Sequence, residues 1–174
     1  MNADQAKFLV EHYTRLMEGE LPATVKVLAA VKDDARDYKP DAKSRTAWEL
    51  ATHIATSDIW FLDSIIKGGF VWDEEAARQA EAQFKSVNDV VEFYKKTYPA
   101  KLQELRSMSP DAMTKTIDFF GMFKSPAVGL LGMANNHGIH HRGQLAAYLR
   151  ALGSKVPAIY GGSADEPMMN AAAS

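Results

Sequence analysis

Apolar residues recur at helical spacing along most of this chain, and the strict alternation typical of strands is scarce. The first predicted helix runs from Ala3 to Asp33. Pro22 lies inside it and is expected to kink or briefly break it, because proline lacks a backbone donor and clashes with the preceding turn. The apolar stripe of this helix consists of Leu9, Tyr13, Leu16, Val27 and Val31.

A second helix is predicted to begin near Thr46, because Thr46 and Glu49 have the spacing of a capping box. The glycines of "KGG", residues 67–69, should end it, and a short acidic helix follows at about residues 73–83. The residues predicted to form the buried face of the second helix are Leu50, Ile54, Phe61 and Ile65.

Ser86 is predicted to cap a third long helix, and Ser125 with Pro126 forms an N-cap and first-turn pair for a fourth, which runs to about Leu152. The segment between them is a connector with a short extended turn. The third helix should bury Val90, Val91, Phe93, Tyr94, Leu102 and Leu105. The core face of the fourth helix consists of Leu130, Ala134, Leu145, Tyr148, Leu149 and Leu152.

Four long helices with mostly moderate connections predict an all-α fold, an up-and-down four-helix bundle with one short extra helix and irregular connectors. We expect residues 1–165 to form a single domain and residues 166–174 to be a frayed tail. In the loop after the fourth helix, the apolar residues of "VPAI" should pack onto the bundle. Tyr160 and Ser163 could then reach the rim of a pocket, or Tyr160 could simply anchor the loop.

The fourth helix holds three of the five histidines within the segment "NNHGIHHRGQL". At about 100° per residue, His141 falls inside the core face, His137 lies at its edge and His140 points away. His12 is expected at the edge of the core face of the first helix. His137 and His141 can therefore both turn their rings into the bundle.

His53 is the histidine of the second helix and lies at the edge of its apolar face. Bundle interiors often hold metal sites built from facing helices, and three neutral imidazoles with an open position are a common catalytic arrangement. Surface helices also carry such histidine pairs by chance, so spacing alone leaves a solvated role open. The zincin pattern H-E-x-x-H is absent, so no neighbouring glutamate is ready as a general base.

Composition narrows the classes of function. The formal net charge is −2 with no basic block, which argues against nucleic acid or an anionic membrane surface as partner. The chain contains no cysteine, which excludes disulfides, thiolate metal sites and cysteine nucleophiles and is typical of cytoplasmic proteins. The first residues lack the apolar region of a signal peptide, and no apolar run approaches the roughly 20 residues that span a bilayer.

Two segments carry a family resemblance. "HGIHHRGQLAAYLRALGSKVP" followed by "IYGGSADE", together with "TAWELATHIATSDIWFLDSI", resembles the DinB family, also called the DinB/YfiT-like metalloenzymes. The resemblance implies a four-helix bundle that holds a divalent metal on His53, His137 and His141. Imidazole ligands suit Zn²⁺ and Ni²⁺, which are the metals expected. The resemblance also implies a homodimer, and a similarity to transferases and isomerases that use low-molecular-weight thiols.

The expected function is that of a metal-dependent enzyme acting on a small molecule, by thiol-dependent S-transfer or metal-activated hydrolysis. Because the chain has no cysteine, a thiolate would have to come from a cosubstrate. The alternatives are a non-catalytic stress-response or binding module stapled by the metal, and a helical interaction protein without metal. An aromatic wall is expected near Trp60. The side chains expected to support the imidazoles are Ser57, Asp58, Asn136 and Gln144.

Overall fold

Residues 1–168, which this computed structural model describes, form four long helices, two short helices and one two-stranded hairpin. The elements are α1 Ala3–Ala29, α2 Ala47–Lys67, α3 Glu74–Ala82, α4 Val87–Arg106, α5 Pro110–Thr114, β1 Thr116–Phe119, β2 Phe123–Pro126 and α6 Ala127–Leu149. The predicted helical bundle is confirmed. Of the predicted tail, residues 169–174 lie outside the described residues.

Each long helix packs against two neighbours. α1 packs on α4 and α6, and α2 packs on the same two helices, so α1 and α2 lie at opposite corners of the bundle. The core between them consists of side chains with no more than 2 % exposure, among them Val27, Leu28, Ile54, Leu62, Val90, Leu102, Leu131 and Leu145. The packing of α2 on α6 matters most for function, because these two helices hold the candidate metal ligands His53, His137 and His141.

Local capping fixes where α2 and α4 begin. The hydroxyl of Thr46 accepts from the backbone N–H of Glu49, whose carboxylate accepts from the N–H of Thr46, and Ser86 forms the same reciprocal pair with Asp89. Gly68 ends α2 with a φ of 76°, in the left-handed region that favours glycine. All three predicted boundaries are confirmed.

α1 differs from the prediction in three ways. It ends at Ala29 and not at Asp33, and it continues through Pro22 without a break. Pro22 lies on the exposed side, where solvent can satisfy the carbonyl that the missing N–H leaves unpaired. Leu16 is 45 % exposed and takes no part in the core, because Thr14 and Met17 occupy the inward positions of that turn.

The start of α6 is also corrected. Ser125 belongs to β2, where it pairs with Ile117, so its backbone cannot adopt the N-cap role predicted for it. Pro126 is the N-cap residue, and no side chain caps the helix. The helix proper ends at Leu149, three residues before the predicted end, and the following turn closes at Gly153 with a φ of 71°.

The connector between α4 and α6 contains the predicted extended turn as the β1–β2 hairpin, and α5 in addition. After α6, Pro157 is buried and Val156 and Ile159 are half-buried against the core, as predicted. Within residues 1–168, no helix combines the length and the apolar character that crossing a bilayer requires.

Candidate metal centre

Three imidazoles from two helices meet in the structure. His53 of α2 and His137 and His141 of α6 each place one ring nitrogen within 4.8 Å of the corresponding nitrogens of the other two. The ring centroids of His141 lie 4.6 Å from His53 and 4.5 Å from His137. The three residues chosen from the sequence are therefore the three that the fold brings together.

Close packing of α2 on α6 produces this convergence. His137 and His141 are one turn apart, so both rings project from the same side of α6. Between them, Gly138 faces Asp58 of α2, and a Cβ at Gly138 would lie 3.0 Å from the Asp58 Oδ2 atom. The absence of a side chain at this position lets the two helices approach with a carboxyl group between them.

Asp58 supports the ring of His137. Its side chain is 4 % exposed, and its Oδ2 accepts a hydrogen bond of 2.8 Å from the hydroxyl of Tyr94. Its Oδ1 lies 3.6 Å from Nδ1 of His137, longer than a hydrogen bond, and both atoms are buried without another partner. With Nδ1 directed at Asp58, Nε2 is the nitrogen of His137 left for a ligand.

Gln144 supports the second ring of α6. Its amide oxygen lies 2.7 Å from Nδ1 of His141, which assigns the ring proton to Nδ1 and leaves the lone pair on Nε2. Metal-binding histidines commonly donate their other ring N–H to a carboxylate or an amide oxygen in this way. The donor set and its orientation thus fit a divalent metal ion.

Two of the four expected supporting residues do other things. The hydroxyl of Ser57 donates a 2.6 Å hydrogen bond to the backbone carbonyl of His53, one turn earlier, and so does not hold the imidazole. Asn136 is exposed, and within the described residues its side chain makes no hydrogen bond to the cluster. Spacing on the helix could not separate these two residues from Asp58 and Gln144, because it does not give the rotamer.

Burial keeps two of the imidazoles neutral. It lowers the pKa of His53 to about 3, with the charge of Arg45 as the next cause, and lowers the pKa of His141 to about 4. Burial also raises the pKa of Asp58, against the opposing effects of His137 and Tyr94. Neutral imidazole is the form that binds metal ions, so the site is ready for a ligand at neutral pH.

The remaining two histidines lie outside the cluster. His140 is exposed, as the helical rotation predicts, although its ring packs edge-on to His141 at 4.9 Å. His12 is exposed on α1 and packs between Phe8 and Tyr13.

Comparison with known proteins agrees with this geometry. A model described as the DinB family matches residues 2–170. The chain belongs to the DinB family. It is 29 % identical to the Bacillus subtilis protein YjoA over 133 residues, which covers 75 % of this chain and 82 % of that protein.

Solved structures share the fold. The crystal structure of YjoA, a DinB-like protein, has a TM-score of 0.63 at 26 % identity and covers 92 % of this chain and 99 % of its own. A DinB-like protein from Bacillus cereus has a TM-score of 0.70 at 24 % identity, covering 86 % and 97 %. A mutant of mycothiol-dependent maleylpyruvate isomerase has a TM-score of 0.56 at 13 % identity, covering 90 % of this chain and 65 % of its own.

The sequence pattern does not predict the burial of one arginine of this DinB-family bundle. Arg142, directly after His141, is 1 % exposed and forms an ion pair of 2.6 Å with Glu20 of α1. It also donates to the hydroxyl of Tyr160 at 2.5 Å, and that hydroxyl donates to Glu20 at 2.8 Å. The adjacent charges of "HHR" gave no sign of this, because the partners lie 122 and 18 residues away.

These contacts settle the role of the loop after α6. Tyr160 anchors it to α1 and α6, and the hydroxyl of Ser163 donates to the carbonyl of Val156 within the loop. Of the two alternatives, these contacts support the one in which Tyr160 anchors the loop, and neither Tyr160 nor Ser163 lines the cavity beside His53. The cavity beside His53 is bounded instead by Trp60 and by α3.

Proposed function

We propose that this DinB-family protein binds one divalent transition metal ion, Zn²⁺ or Ni²⁺, on His53, His137 and His141. We further propose that it is a metal-dependent enzyme that acts on a small molecule. The observation that carries the proposal is the convergence of three ring nitrogens within 4.8 Å. Gln144 lies 2.7 Å from Nδ1 of His141, and the carboxyl group of Asp58 faces Nδ1 of His137 at 3.6 Å. Imidazole nitrogen suits both metals.

The composition of the cluster favours catalysis over a purely structural staple. Structural zinc sites are usually closed by four protein ligands, whereas catalytic sites keep one position open. Within residues 1–168, the cluster contains three side chains, and the nearby carboxyl group of Asp58 lies 3.6 Å from Nδ1 of His137. A metal held here would polarise whatever occupies the open position and lower the pKa of a bound water or thiol.

The chain's own residues would supply orientation and an apolar wall. Gln144 contacts the ring of His141, Asp58 faces that of His137, and Trp60 lines the cavity beside His53. Two reactions fit: hydrolysis, and S-transfer from a low-molecular-weight thiol. Because the chain has no cysteine, a thiolate would have to arrive as cosubstrate. The distant fold relative is named a mycothiol-dependent isomerase, which is a precedent for thiol dependence in the same fold.

Metal content of protein purified without an affinity tag tests the proposal. We expect up to one metal ion per chain by elemental analysis. His53→Ala, His137→Ala and His141→Ala should each lower the occupancy sharply, because two imidazoles bind a metal ion weakly. The matched control is His140→Ala, which removes an exposed ring next to the cluster and should change occupancy little.

The opposite pattern would overturn the assignment. Metal lost from His140→Ala and kept by His141→Ala would mean that α6 presents a different face. Protein that remains metal-free after incubation with Zn²⁺ and with Ni²⁺ would contradict the proposal as a whole.

A further inference from the structure

A cleft between α2 and α3 opens beside the three-histidine cluster. It has a volume of about 320 Å³, and His53 lies in its wall together with Trp60, Trp72 and Ala77. Binding pockets for small molecules begin at about 300 Å³. The cleft is therefore large enough for one substituted ring and too small for a helix of another protein.

The tryptophans give the cleft flat apolar walls. Trp60 and Trp72 pack edge to face with ring centroids 5.6 Å apart, and the indole N–H of Trp60 donates to the carbonyl of Val71 at 3.1 Å. The polar group of the Trp60 side chain is therefore already hydrogen-bonded to the backbone. Trp72 remains 58 % exposed and Val71 76 % exposed, so large apolar side chains stand at the cleft with little protein against them.

α3 completes the cleft without burying any of its own residues. Its methyl groups at Ala76, Ala77 and Ala80 line the cavity, while its charged residues Glu74, Glu75 and Arg78 are exposed. A helix with a one-sided apolar stripe normally buries that stripe in the core. Here the stripe lines the cleft next to His53, so its apolar surface is available to a small molecule.

Polar groups in the wall are mostly engaged elsewhere. The hydroxyls of Thr56 and Ser57 donate to carbonyls of the preceding turn of α2. Asp73 caps α3 by accepting from the N–H of Ala76 at 3.0 Å, and its carboxyl group and that of Glu81 line the cleft. The two carboxyl groups disfavour an anionic group beside them, and His53 is the residue of the wall that belongs to the three-histidine cluster.

We propose that this cleft binds an uncharged aromatic or similarly flat apolar group of the substrate and so directs the reactive end of the same molecule to the three-histidine centre. The inference rests on the proposed function, since it takes His53 to be a metal ligand. It adds the class of substrate: a small molecule with an apolar ring next to the group that reacts.

Two hydroxamates that share a metal-binding head test this on the metal-loaded protein. Benzohydroxamate carries a phenyl ring, and acetohydroxamate carries a methyl group in its place. Burial of the ring in the cleft should make benzohydroxamate bind at least about tenfold more tightly, measured by titration calorimetry. This comparison uses the unmodified chain and depends on no variant.

A pair of variants on α3 locates the effect. Ala77→Phe fills the cleft and should remove most of the advantage of the ring, so that the ratio of the two hydroxamate affinities falls towards one. Ala82→Phe makes the same substitution at an exposed position of the same helix that does not line the cleft, and it should keep the advantage. Elemental analysis should show equal metal content in both variants.

The outcomes separate the two proposals. Equal affinities for the two hydroxamates in the unmodified protein, or an unchanged ratio in Ala77→Phe, would overturn the cleft as binding site while leaving the metal function intact. Failure of both hydroxamates to bind to the metal-loaded protein would contradict the open position on the metal that the proposed function requires, and the cleft proposal would fall with it.

Discussion

The carboxyl group of Asp58 is almost fully buried between a tyrosine hydroxyl and an imidazole. Burial of a carboxyl group is costly unless its oxygens are paired, and only the bond from Tyr94 is within hydrogen-bonding distance. The other oxygen faces His137 at 3.6 Å. A ligand on Nε2 of His137 would fix the orientation of the ring, with Nδ1 facing the unpaired oxygen of Asp58.

Asp58→Asn tests this role. The substitution keeps the shape of the side chain and removes the charge that favours a proton on Nδ1 of His137, so metal affinity should fall by about tenfold to a hundredfold. Competition with a chromophoric chelator measures the affinity, and circular dichroism checks the fold. Tyr94→Phe is the control, because it removes the hydrogen bond to Asp58 and retains the carboxyl group. An Asp58→Asn variant that binds metal like the parent would show that the carboxyl group is not a positioning residue.

At the scale of elements, predictability followed the range of the interaction. The start and end of α2 were predicted because Thr46, Glu49 and Gly68 act within a few residues of one another. The start of α6 was not, because Ser125 is paired with a strand eight residues earlier. Likewise, the rotation of α6 selected His137 and His141, whereas the partners of Arg142 come from α1 and from the following loop.

The left-handed end of α2 gives a test at this scale. Gly68→Ala should lower the free energy of unfolding by about 1 kcal/mol, because a Cβ at a φ of 76° crowds the following carbonyl. Gly69→Ala is the matched control: no positive φ is found there, and a Cβ would meet nothing within 4 Å. Urea denaturation measures both. Equal effects at the two positions would contradict the argument from backbone conformation.

For the whole molecule, the proposed metal ion and protons would compete for the same side chains. The pKa values of His53 and His141 in the metal-free fold are about 3 and about 4, below the ordinary value of 6.5. At pH values between these lowered pKa values and 6.5, the unfolded chain binds more protons than the folded chain. The stability of the metal-free protein therefore falls as the pH drops below about 6.5.

We therefore expect the thermal midpoint of protein treated with chelator to decrease from about pH 7.5 to about pH 5, and the decrease to be smaller in His53→Gln, which removes one of the two groups. At neutral pH, the chelator should itself lower the midpoint, since a ligand that binds only the folded state stabilises it. A midpoint insensitive to chelator would argue that the metal contributes little to the fold.

Two neighbouring residues of α6 make contacts on two different sides of the helix. His141 points towards α2, and Arg142, about 100° further around the axis, is held by Glu20 and Tyr160. Turning the helix by about 10° would carry a side-chain tip at a radius of about 6 Å through about 1 Å. Functional groups must be held to within about 0.5 Å, so such a turn would spoil the ligand geometry. The buried ion pair therefore resists rotation of α6, so residues outside the three-histidine cluster help to fix the positions of its rings.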